Sequence, residues 1–432
     1  MEQKSNKRSP WLWVPTLYFA EGLPYFIVNT IALVLFKDMG MDNGTLALLT
    51  SLISLPWTLK PLWSPFVDIF RSKRWWILVM QILMAASVAL IAVLLPRPSA
   101  EEIAAGAVPV SAFSLTILFF AVSAFASATH DISADGFYMI ALDKNRQSAF
   151  VGIRNTFYRI AMVFGQGVLV VIAGLLEKRC GQAPKAWSVT LIITAAILAL
   201  VAIYHSFLLP APAQDTTAGK KTAREIFSGF GSAFATFFTK KGVWFAIAFM
   251  LLFRLPEAFS VKMLYPFFSD SVTAGGLGFD KAAYGIVYGT AGVIALLAGG
   301  ILGGLHISRK GLRSCIFPMG LSLALPCAVY LIMAIFQPSA LPVVGALVVL
   351  DQFGYGYGFT AYTVYMMHFS DGPVKTSHYA ICTGFMALSM LIPGAVAGYL
   401  QEWLGYTGFF ILVMICCLAT ISVSLLARRR LS

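Results

Sequence analysis

The chain contains about twelve apolar stretches, and each of them is long enough to cross a lipid bilayer. An α-helix rises about 1.5 Å per residue, so about 20 residues cover the roughly 30 Å of hydrocarbon. The predicted spans are residues 11–36, 44–66, 75–95, 112–140, 148–175, 187–209, 241–268, 281–305, 314–336, 340–368, 377–400 and 406–427. Backbone polar groups inside lipid must be paired within their own segment. The pattern therefore predicts an all-α integral membrane protein with 12 transmembrane helices.

Composition leaves little room for a soluble domain. Hydrophobic residues make up 59% of the 432 and charged residues only 12%, with a mean hydropathy of +0.80. A water-soluble fold could not cover its surface with so few polar side chains. The longest polar insert, at about 209–225, is typical of a linker. We predict a six-helix bundle at 1–209, a cytoplasmic linker at 210–240 and a second six-helix bundle at 241–432.

Part of that linker, residues 222–238, has an apolar stripe preceded by basic residues. The stripe consists of Ile226, Phe227, Phe230, Phe234 and Phe237. One interpretation is a short amphipathic helix that lies on the cytoplasmic face of the membrane. The other interpretation is a cytoplasmic extension of the seventh span.

Basic residues are distributed unequally between the two sides of the predicted membrane. Of the 31 Lys and Arg residues, 20 fall on the side of the N-terminus, 6 on the opposite side and 5 inside spans. The positive-inside rule therefore places both termini in the cytoplasm. Because topology accounts for the net charge of +12, no nucleic-acid partner is expected. The six cysteines show no CxxC spacing, and we expect no disulfide, metal site or cofactor.

The two halves of the chain share a series of motifs. Glu21 in the first span is followed by Gly40-Met-Asp42, and Glu257 in the seventh span is followed by Gly278-Phe-Asp280. The fourth and tenth spans also end in similar Tyr-Met segments. This order of matches predicts two pseudo-symmetric six-helix bundles, the major facilitator architecture, with a solute bound near the midplane between them.

Ten ionisable side chains lie inside the predicted spans. The acids are Glu21, Asp131, Asp135, Glu257 and Asp351, and the bases are Lys60, Arg154, Arg159, Arg254 and Lys262. Each charge costs about 2.5–3.5 kcal/mol at the centre of a membrane helix on insertion scales, so each one suggests a function. Acids and bases are equal in number, which allows them to form pairs.

Asp131 and Asp135 are four residues apart and therefore share one face of the fourth span. Two carboxylates this close cannot both ionise at low cost, so one of them is expected to hold a proton near neutral pH. Proton coupling requires such a group, and Glu21 and Glu257 are the further candidates. The alternative is a structural pair of acids bonded to neighbouring donors.

Candidate solute ligands occur on several spans. Tyr25 and Asn29 lie on one stripe with Glu21, and Lys60, Arg254 and Lys262 are bases that could meet a carboxylate. Arg254 could instead form an intrahelical ion pair with Glu257, three residues away.

Arg159 lies deeper in its span than Arg154. The two are five residues apart, so we expect one of them to face the interior. Arg159 is the expected solute ligand, and Arg154 is expected to reach the cytoplasmic interface.

The tenth span combines an acid with alternate glycines and tyrosines. Its segment begins at Asp351 and includes Gly354, Tyr355, Gly356 and Gly358. The glycines allow a bend or close helix packing. Asp351 and Tyr355 are further candidate solute ligands, although aromatic residues in spans also serve packing and interface anchoring.

The loop after the second span is the candidate gate. Asp68 precedes Arg71 and Arg74 at the predicted cytoplasmic end. An acid at this position can pair with a base of a neighbouring helix and hold one state closed. For the two arginines, the alternative is that they only establish topology.

Several of these motifs resemble the AmpG-like permeases of the major facilitator superfamily. The matching segments are Glu21-Gly-Leu-Pro24, Leu59-Lys60-Pro-Leu-Trp63-Ser-Pro65-Phe-Val-Asp68, Ala128-Thr-His130-Asp131-Ile-Ser-Ala-Asp135-Gly136, Tyr158-Arg159 and Pro256-Glu257-Ala258-Phe259. The resemblance implies a monomeric, proton-driven importer of anhydro-muropeptides, released from peptidoglycan, across the bacterial inner membrane.

Other functions stay open at this point. Relatives of this family import other solutes, such as siderophores. A membrane acyltransferase could use His130 and Asp135, but a spacing of five residues points the two side chains apart on a helix. A non-transporting sensor with the same fold is a third possibility. We expect a transporter and not an enzyme.

Overall fold

The computed structural model describes residues 8–105, 108–212, 215, 231–232, 234–372 and 375–431. Throughout this described part the secondary structure is helical, without a strand. Within the residues that the structure describes, nine helical stretches are long and apolar enough to cross a membrane, judged by length and composition. The longest of them bends at Gly405, whose φ of 67° interrupts the helix, and so contains two helices. The predicted all-α membrane class is confirmed.

Helices coincide with all twelve predicted spans. In the first half they are α1 Pro10–Asp38, α2 in the segments Asn43–Ile53, Leu55–Leu59 and Ser64–Ile69, α3 Lys73–Leu94, α4 Ser114–Ala141, α5 144–180 and α6 Ala183–Leu208. In the second half they are α7 Val243–Ser269, α8 Lys281–Lys310, α9 Leu312–Phe336, α10 Leu341–Phe369, α11 375–404 and α12 406–430. Only α2 and α10 fall outside the nine apolar stretches. Prolines break α2, and glycines, tyrosines and Asp351 lower the hydropathy of α10.

By spatial proximity the chain divides into two compact units. The first contains Met1–Gly40 and Ile53–Ser228, and the second contains Met41–Leu52 and Gly229–Ser432. In the first unit α3 packs against α4 and α6, and α1 packs against α4 and α5. In the second unit α10 packs against α8 and α9. The bundle boundaries predicted at residues 209 and 241 stay predictions.

The first segment of α2 is held by α11 and α12. Asn43 donates a hydrogen bond to Gln401 Oε1 at 2.6 Å, and the backbone N–H of Gly44 donates to Glu402 Oε1 at 2.7 Å. A Cβ on Gly398 would lie 1.8 Å from the carbonyl oxygen of Asn43, so only glycine allows this approach. The helix breaks after Ile53, next to Pro56, which cannot donate a backbone hydrogen bond.

The glycines of α10 allow two neighbouring helices to come close. A Cβ on Gly356 would lie 2.0 Å from a carbonyl oxygen of α8, at Leu296. A Cβ on Gly354 would lie 2.2 Å from a carbonyl oxygen of α9, at Ser322. Of the two roles predicted for these glycines, the structure shows close packing, within a continuous helix.

The predicted amphipathic helix falls largely outside the described residues, because 216–230 and 233 are not described. Its described residues, 231–232 and 234–238, are helical. Phe237 is fully buried and packs with the rings of Phe369 and Phe385. Phe237 thus belongs to a packed core of the second unit, and the amphipathic helix of the linker stays a prediction.

Candidate functional site

Three carboxylates meet inside the first unit. One ligand oxygen from each of Glu21 on α1 and Asp131 and Asp135 on α4 lies within 4.8 Å of the others. Glu21 is only 7% exposed, and its Oε2 has no hydrogen-bond partner among the described residues. The i, i+4 spacing of the two aspartates places both on the face of α4 that meets α1.

Two bases contact these carboxylates. Lys60 of α2 forms an ion pair with Asp131, and Arg154 Nη2 of α5 lies 2.9 Å from Asp135 Oδ1. The Tyr18 hydroxyl donates to the same Asp135 oxygen at 3.1 Å, and the Arg154 guanidinium lies 4.6 Å from the centre of the Tyr18 ring. We call Glu21, Asp131, Asp135, Lys60 and Arg154 the acid cluster.

Arg154 corrects one expectation. It was expected at the cytoplasmic interface, but it pairs with Asp135 in the interior. Arg159, the expected ligand, is partly buried on the same helix.

With every group ionised, the acid cluster has one more negative than positive charge. Its three carboxylate oxygens could together hold a metal ion. However, Asp131 and Asp135 already have a basic partner each. The remaining charge equals that of a single proton, which needs no coordination shell. One added positive charge would therefore balance the acid cluster.

The predicted ligands Tyr25 and Asn29 connect α1 to α2. Asn29 Oδ1 accepts a hydrogen bond from the Ser54 hydroxyl at 2.7 Å, and its amide donates to the Tyr25 carbonyl at 3.0 Å. The Tyr25 ring meets the Trp57 ring edge to face, with centroids 5.1 Å apart. Both side chains therefore lie beside the break in α2.

Arg254 and Glu257 form an ion pair on α7 in the second unit. Two guanidinium nitrogens of Arg254 donate to the two carboxylate oxygens of Glu257, each at 2.8 Å. Arg254 also donates to the Tyr355 hydroxyl at 2.9 Å and lies 4.8 Å from the Phe359 ring centre. The intrahelical pair considered from the sequence is present, and it occupies Glu257.

Asp351 and Lys262 lack a partner of opposite charge among the described residues. Asp351 Oδ2 accepts hydrogen bonds from the Tyr330 hydroxyl at 2.7 Å and the Gln352 amide at 3.1 Å. Lys262 donates to the Thr50 hydroxyl at 3.1 Å. Both side chains are buried, with 6% of Asp351 and 8% of Lys262 exposed. They are therefore the charges of the second unit that a solute could neutralise.

His130 and Asp135 do not form a catalytic pair. The Gln81 amide nitrogen lies 3.0 Å from His130 Nε2 and 2.9 Å from His205 Nδ1, deep among α3, α4 and α6. His130 is fully buried. The geometry required by the acyltransferase alternative is therefore not present.

The predicted gating residues have separate surroundings. The Asp68 side chain lies outside the described part of the structure. Arg71 lies 5.9 Å from the Trp75 ring centre, and Arg74 donates to the Ser206 carbonyl at 2.7 Å. Neither arginine side chain forms an ion pair with an acid among the described residues, although the backbone N–H of Arg74 donates to Asp215 Oδ2 at 2.9 Å.

Sequence reasoning missed two side chains that donate hydrogen bonds to these acids, Tyr18 to Asp135 and Tyr330 to Asp351. Tyr18 lies three residues before Glu21, so helical spacing could have placed it on the same face. Tyr330 gave no such signal, because it reaches Asp351 from another helix, α9.

Helices of membrane-crossing length, with carboxylates buried in each of two units, define a polytopic membrane carrier. A model of the Major Facilitator Superfamily matches residues 16–373, and the chain belongs to this family.

Relatives and a solved structure agree with this assignment. The chain is 25% identical over 420 residues to the anhydromuropeptide permease of Escherichia coli (strain K12), covering 96% of this chain and 79% of that protein. It is 23% identical over 429 residues to putative transporter AmpG 4 of Rickettsia felis, covering 96% of each. The crystal structure of the nucleoside transporter NupG matches with a TM-score of 0.71 and 16% identity, covering 97% of this chain and 98% of that one. That last likeness shows the fold alone.

The resemblance to AmpG-like permeases is thus confirmed, at low identity. The family and its structural neighbours are transporters of small solutes and not enzymes. The chain is accordingly a multi-pass membrane transporter.

Proposed function

We propose that this chain is a monomeric proton symporter that imports an anhydro-muropeptide-like solute across the bacterial inner membrane by alternating access, with both termini cytoplasmic. The observation that carries the proposal is the acid cluster, in which two of the three carboxylates, Asp131 and Asp135, each pair with a base, and Glu21 has no ion pair with a described base. The excess charge is costly in a membrane interior, and one proton neutralises it. The solute class is proposed from the Escherichia coli relative.

Glu21 is the best-suited proton carrier of the cluster. Asp131 and Asp135 are each stabilised in the ionised form by a base, whereas no hydrogen bond reaches Glu21 Oε2. Glu257 is less suited, because Arg254 holds both of its carboxylate oxygens. Of the four acids predicted to couple protons, we therefore propose Glu21 as the proton carrier. Asp131 and Asp135 contribute the neighbouring negative charges.

On the solute side, Lys262 is the base most available to a carboxylate. Lys60 and Arg254 are each paired with an acid, but the described partner of Lys262 is a neutral hydroxyl. We propose Lys262 as the main anion ligand of the solute, with Tyr355 as a further polar ligand in the same unit. Tyr25 and Asn29 of the first unit stay candidate solute ligands.

The test is uptake into proteoliposomes that contain a pH-sensitive dye. Under an inward proton gradient, anhydro-muropeptide should accumulate and acidify the lumen, and a protonophore should abolish the accumulation. Glu21→Gln should lose gradient-driven accumulation but keep solute exchange between the two sides, because it removes the excess charge without leaving a base unpaired. Asp131→Asn and Asp135→Asn should also lose accumulation.

Glu101→Gln is the matched control, since Glu101 is an exposed acid in the loop between α3 and α4. It should behave as the unaltered protein does. Uptake of siderophores into the same vesicles tests the alternative that the chain imports a siderophore. The coupling assignment would be refuted by undiminished proton-driven uptake in two variants, Glu21→Gln and the double variant that combines Asp131→Asn with Asp135→Asn.

A further inference from the structure

The second unit contains a cavity that Asp351 closes at one end. The cavity measures about 30 Å³ and lies among α7, α8, α9 and α10. Glu257, Tyr288 and Tyr355 line it and are partly exposed, whereas Asp351 is buried. A space of this size holds one or two groups as large as a water molecule. The Asp351 carboxylate thus faces a space that a small polar group can enter.

The carboxylate has an unused oxygen. Both described hydrogen bonds to Asp351, from Tyr330 and Gln352, end on Oδ2. Oδ1 receives none from the described residues, and no described base lies within ion-pair distance. A buried carboxylate in this state is stabilised by a positively charged hydrogen-bond donor.

The other walls of the cavity are apolar or aromatic. Leu264, Leu323 and Cys327 form the apolar part, and the rings of Tyr288 and Tyr355 stand on the more exposed side. Apolar walls suit the methylene carbons of an alkyl chain, and tyrosine rings attract a cation.

We propose that this cavity binds a primary ammonium group of the transported solute, with Asp351 Oδ1 as its acceptor. The inference rests on the proposed function, because the ammonium group would belong to the imported solute. Together with Lys262 it specifies a solute class, a zwitterion with separate amine and carboxylate groups.

A divalent metal ion fits this cavity less well than an ammonium group. Calcium and magnesium need several oxygen ligands with matching negative charge. Asp351 is the one carboxylate of the cavity that has no basic partner, since Glu257 is bonded to Arg254. One carboxylate beside tyrosine rings and apolar carbons matches an alkylammonium ion instead.

Binding is tested without any assumption about the natural solute. The full-length protein in lipid nanodiscs is titrated with methylammonium chloride, and unfolding is followed by tryptophan fluorescence. Methylammonium should raise the unfolding temperature in a saturable manner, because a ligand that binds the native state stabilises it. Choline, whose quaternary head has no N–H donor and exceeds the cavity, should not do so at equal concentration.

Asp351→Asn removes the charge but keeps an acceptor for Tyr330 and Gln352. It should raise the apparent Kd for methylammonium by about tenfold or more. Asp371→Asn, at an exposed acid just beyond α10, is the matched control and should bind as the unaltered protein does.

A second variant keeps the inference testable if Asp351→Asn does not fold. Ser260→Leu fills the cavity from α7 and leaves the carboxylate in place, and it should also abolish methylammonium binding. Equal stabilisation by methylammonium and choline, or unchanged binding in either variant, would overturn the inference.

A transport measurement then tests whether the cavity binds an amine of the solute. The unaltered protein should take up an anhydro-muropeptide with a free amine about tenfold more efficiently than its N-acetylated form, and Asp351→Asn should reduce this preference below about threefold. If Asp351→Asn instead stops proton movement with both solutes, Asp351 carries a proton and the ammonium assignment is wrong. If the unaltered protein takes up neither solute, the proposed solute is wrong, and methylammonium binding alone decides the inference.

Discussion

The Arg254–Glu257 pair offers a quantitative test of how charge is held inside the second unit. Its two hydrogen bonds measure 2.8 Å each, and only 9% of the Arg254 and 17% of the Glu257 side chain is exposed. The perturbation is a double-mutant cycle that consists of Arg254→Met, Glu257→Gln and the two together. Methionine keeps much of the arginine stem volume, and glutamine keeps the shape of glutamate.

The loss of unfolding free energy in each single variant depends on the charge that stays buried without its partner. Removing one partner of a buried pair leaves the other charge uncompensated and costs about 3–5 kcal/mol. Arg254→Met thus leaves the Glu257 carboxylate without its ion-pair partner, and Glu257→Gln leaves the Arg254 guanidinium without its partner. The double variant contains neither charge, so it should lose less than the sum of the single changes. We expect a coupling energy of about 3 kcal/mol, which corresponds to roughly a hundredfold change in the unfolding equilibrium.

The assay is equilibrium unfolding of each variant in mixed detergent micelles, followed by tryptophan fluorescence. Additive single changes would contradict the expected result. Additivity would show that the two groups are not an ion pair in the native protein. Glu257 would then return to the set of possible proton carriers, which the hydrogen bonds from Arg254 now disfavour.

Four further predictions concern packing and helix ends. Gly356→Ala should destabilise the protein by several kcal/mol, seen as a lower unfolding temperature, because its Cβ would lie 2.0 Å from a carbonyl of α8. Gly304→Ala, with open space around the new Cβ, should raise stability by up to about 1 kcal/mol in the same measurement. Asp215→Ala should speed hydrogen exchange in the first turn of α3 by about fivefold or more, since its carboxylate accepts from two backbone N–H groups there. Asn43→Ala should cost about 1–3 kcal/mol of unfolding free energy, because it leaves Gln401 without its 2.6 Å donor.

The acids within the spans could be identified from the sequence because a charged residue is rare and costly in a membrane-crossing helix. Asp131 and Asp135 stand out in an apolar helix, and their spacing fixes that they share a face. Their partners could not be assigned in the same way. Lys60 and Tyr18 reach these aspartates from other helices, so the pairing depends on how the helices are rotated against one another.

Arg154 illustrates this limit. Arg154 and Arg159 differ by about 140° around an ideal helix, so the sequence indicates that one of them faces the interior, but not which one. Depth favoured Arg159, whereas the structure pairs Arg154 with Asp135. The π-helical turn Val163–Val168 also shifts the phase of α5 beyond these residues, and no residue type announces such a turn.

The role of the alternate glycines in the tenth span could not be decided from the sequence. Alternate glycines are compatible with either a bend or close packing, and the choice depends on whether carbonyls of other helices occupy the space of the missing Cβ atoms. Here α8 meets Gly356 and α9 meets Gly354, so the helix stays continuous. The same segment begins at Asp351, whose hydrogen-bond partner Tyr330 lies on another helix and is known only from the tertiary structure.

The unpaired charges of the two units suggest how the binding of a proton and a solute could be linked to transport. The acid cluster of the first unit lacks one positive charge, which a proton would supply. In the second unit neither Asp351 nor Lys262 has a partner of opposite charge among the described residues, and the proposed zwitterionic solute would supply both. Since each uncompensated charge in the membrane interior costs about 2.5–3.5 kcal/mol, a chain loaded with proton and solute has a smaller electrostatic cost than an empty or half-loaded one. Such a difference in free energy is what a symporter needs, because a ligand shifts a conformational equilibrium only by its differential affinity for the two states.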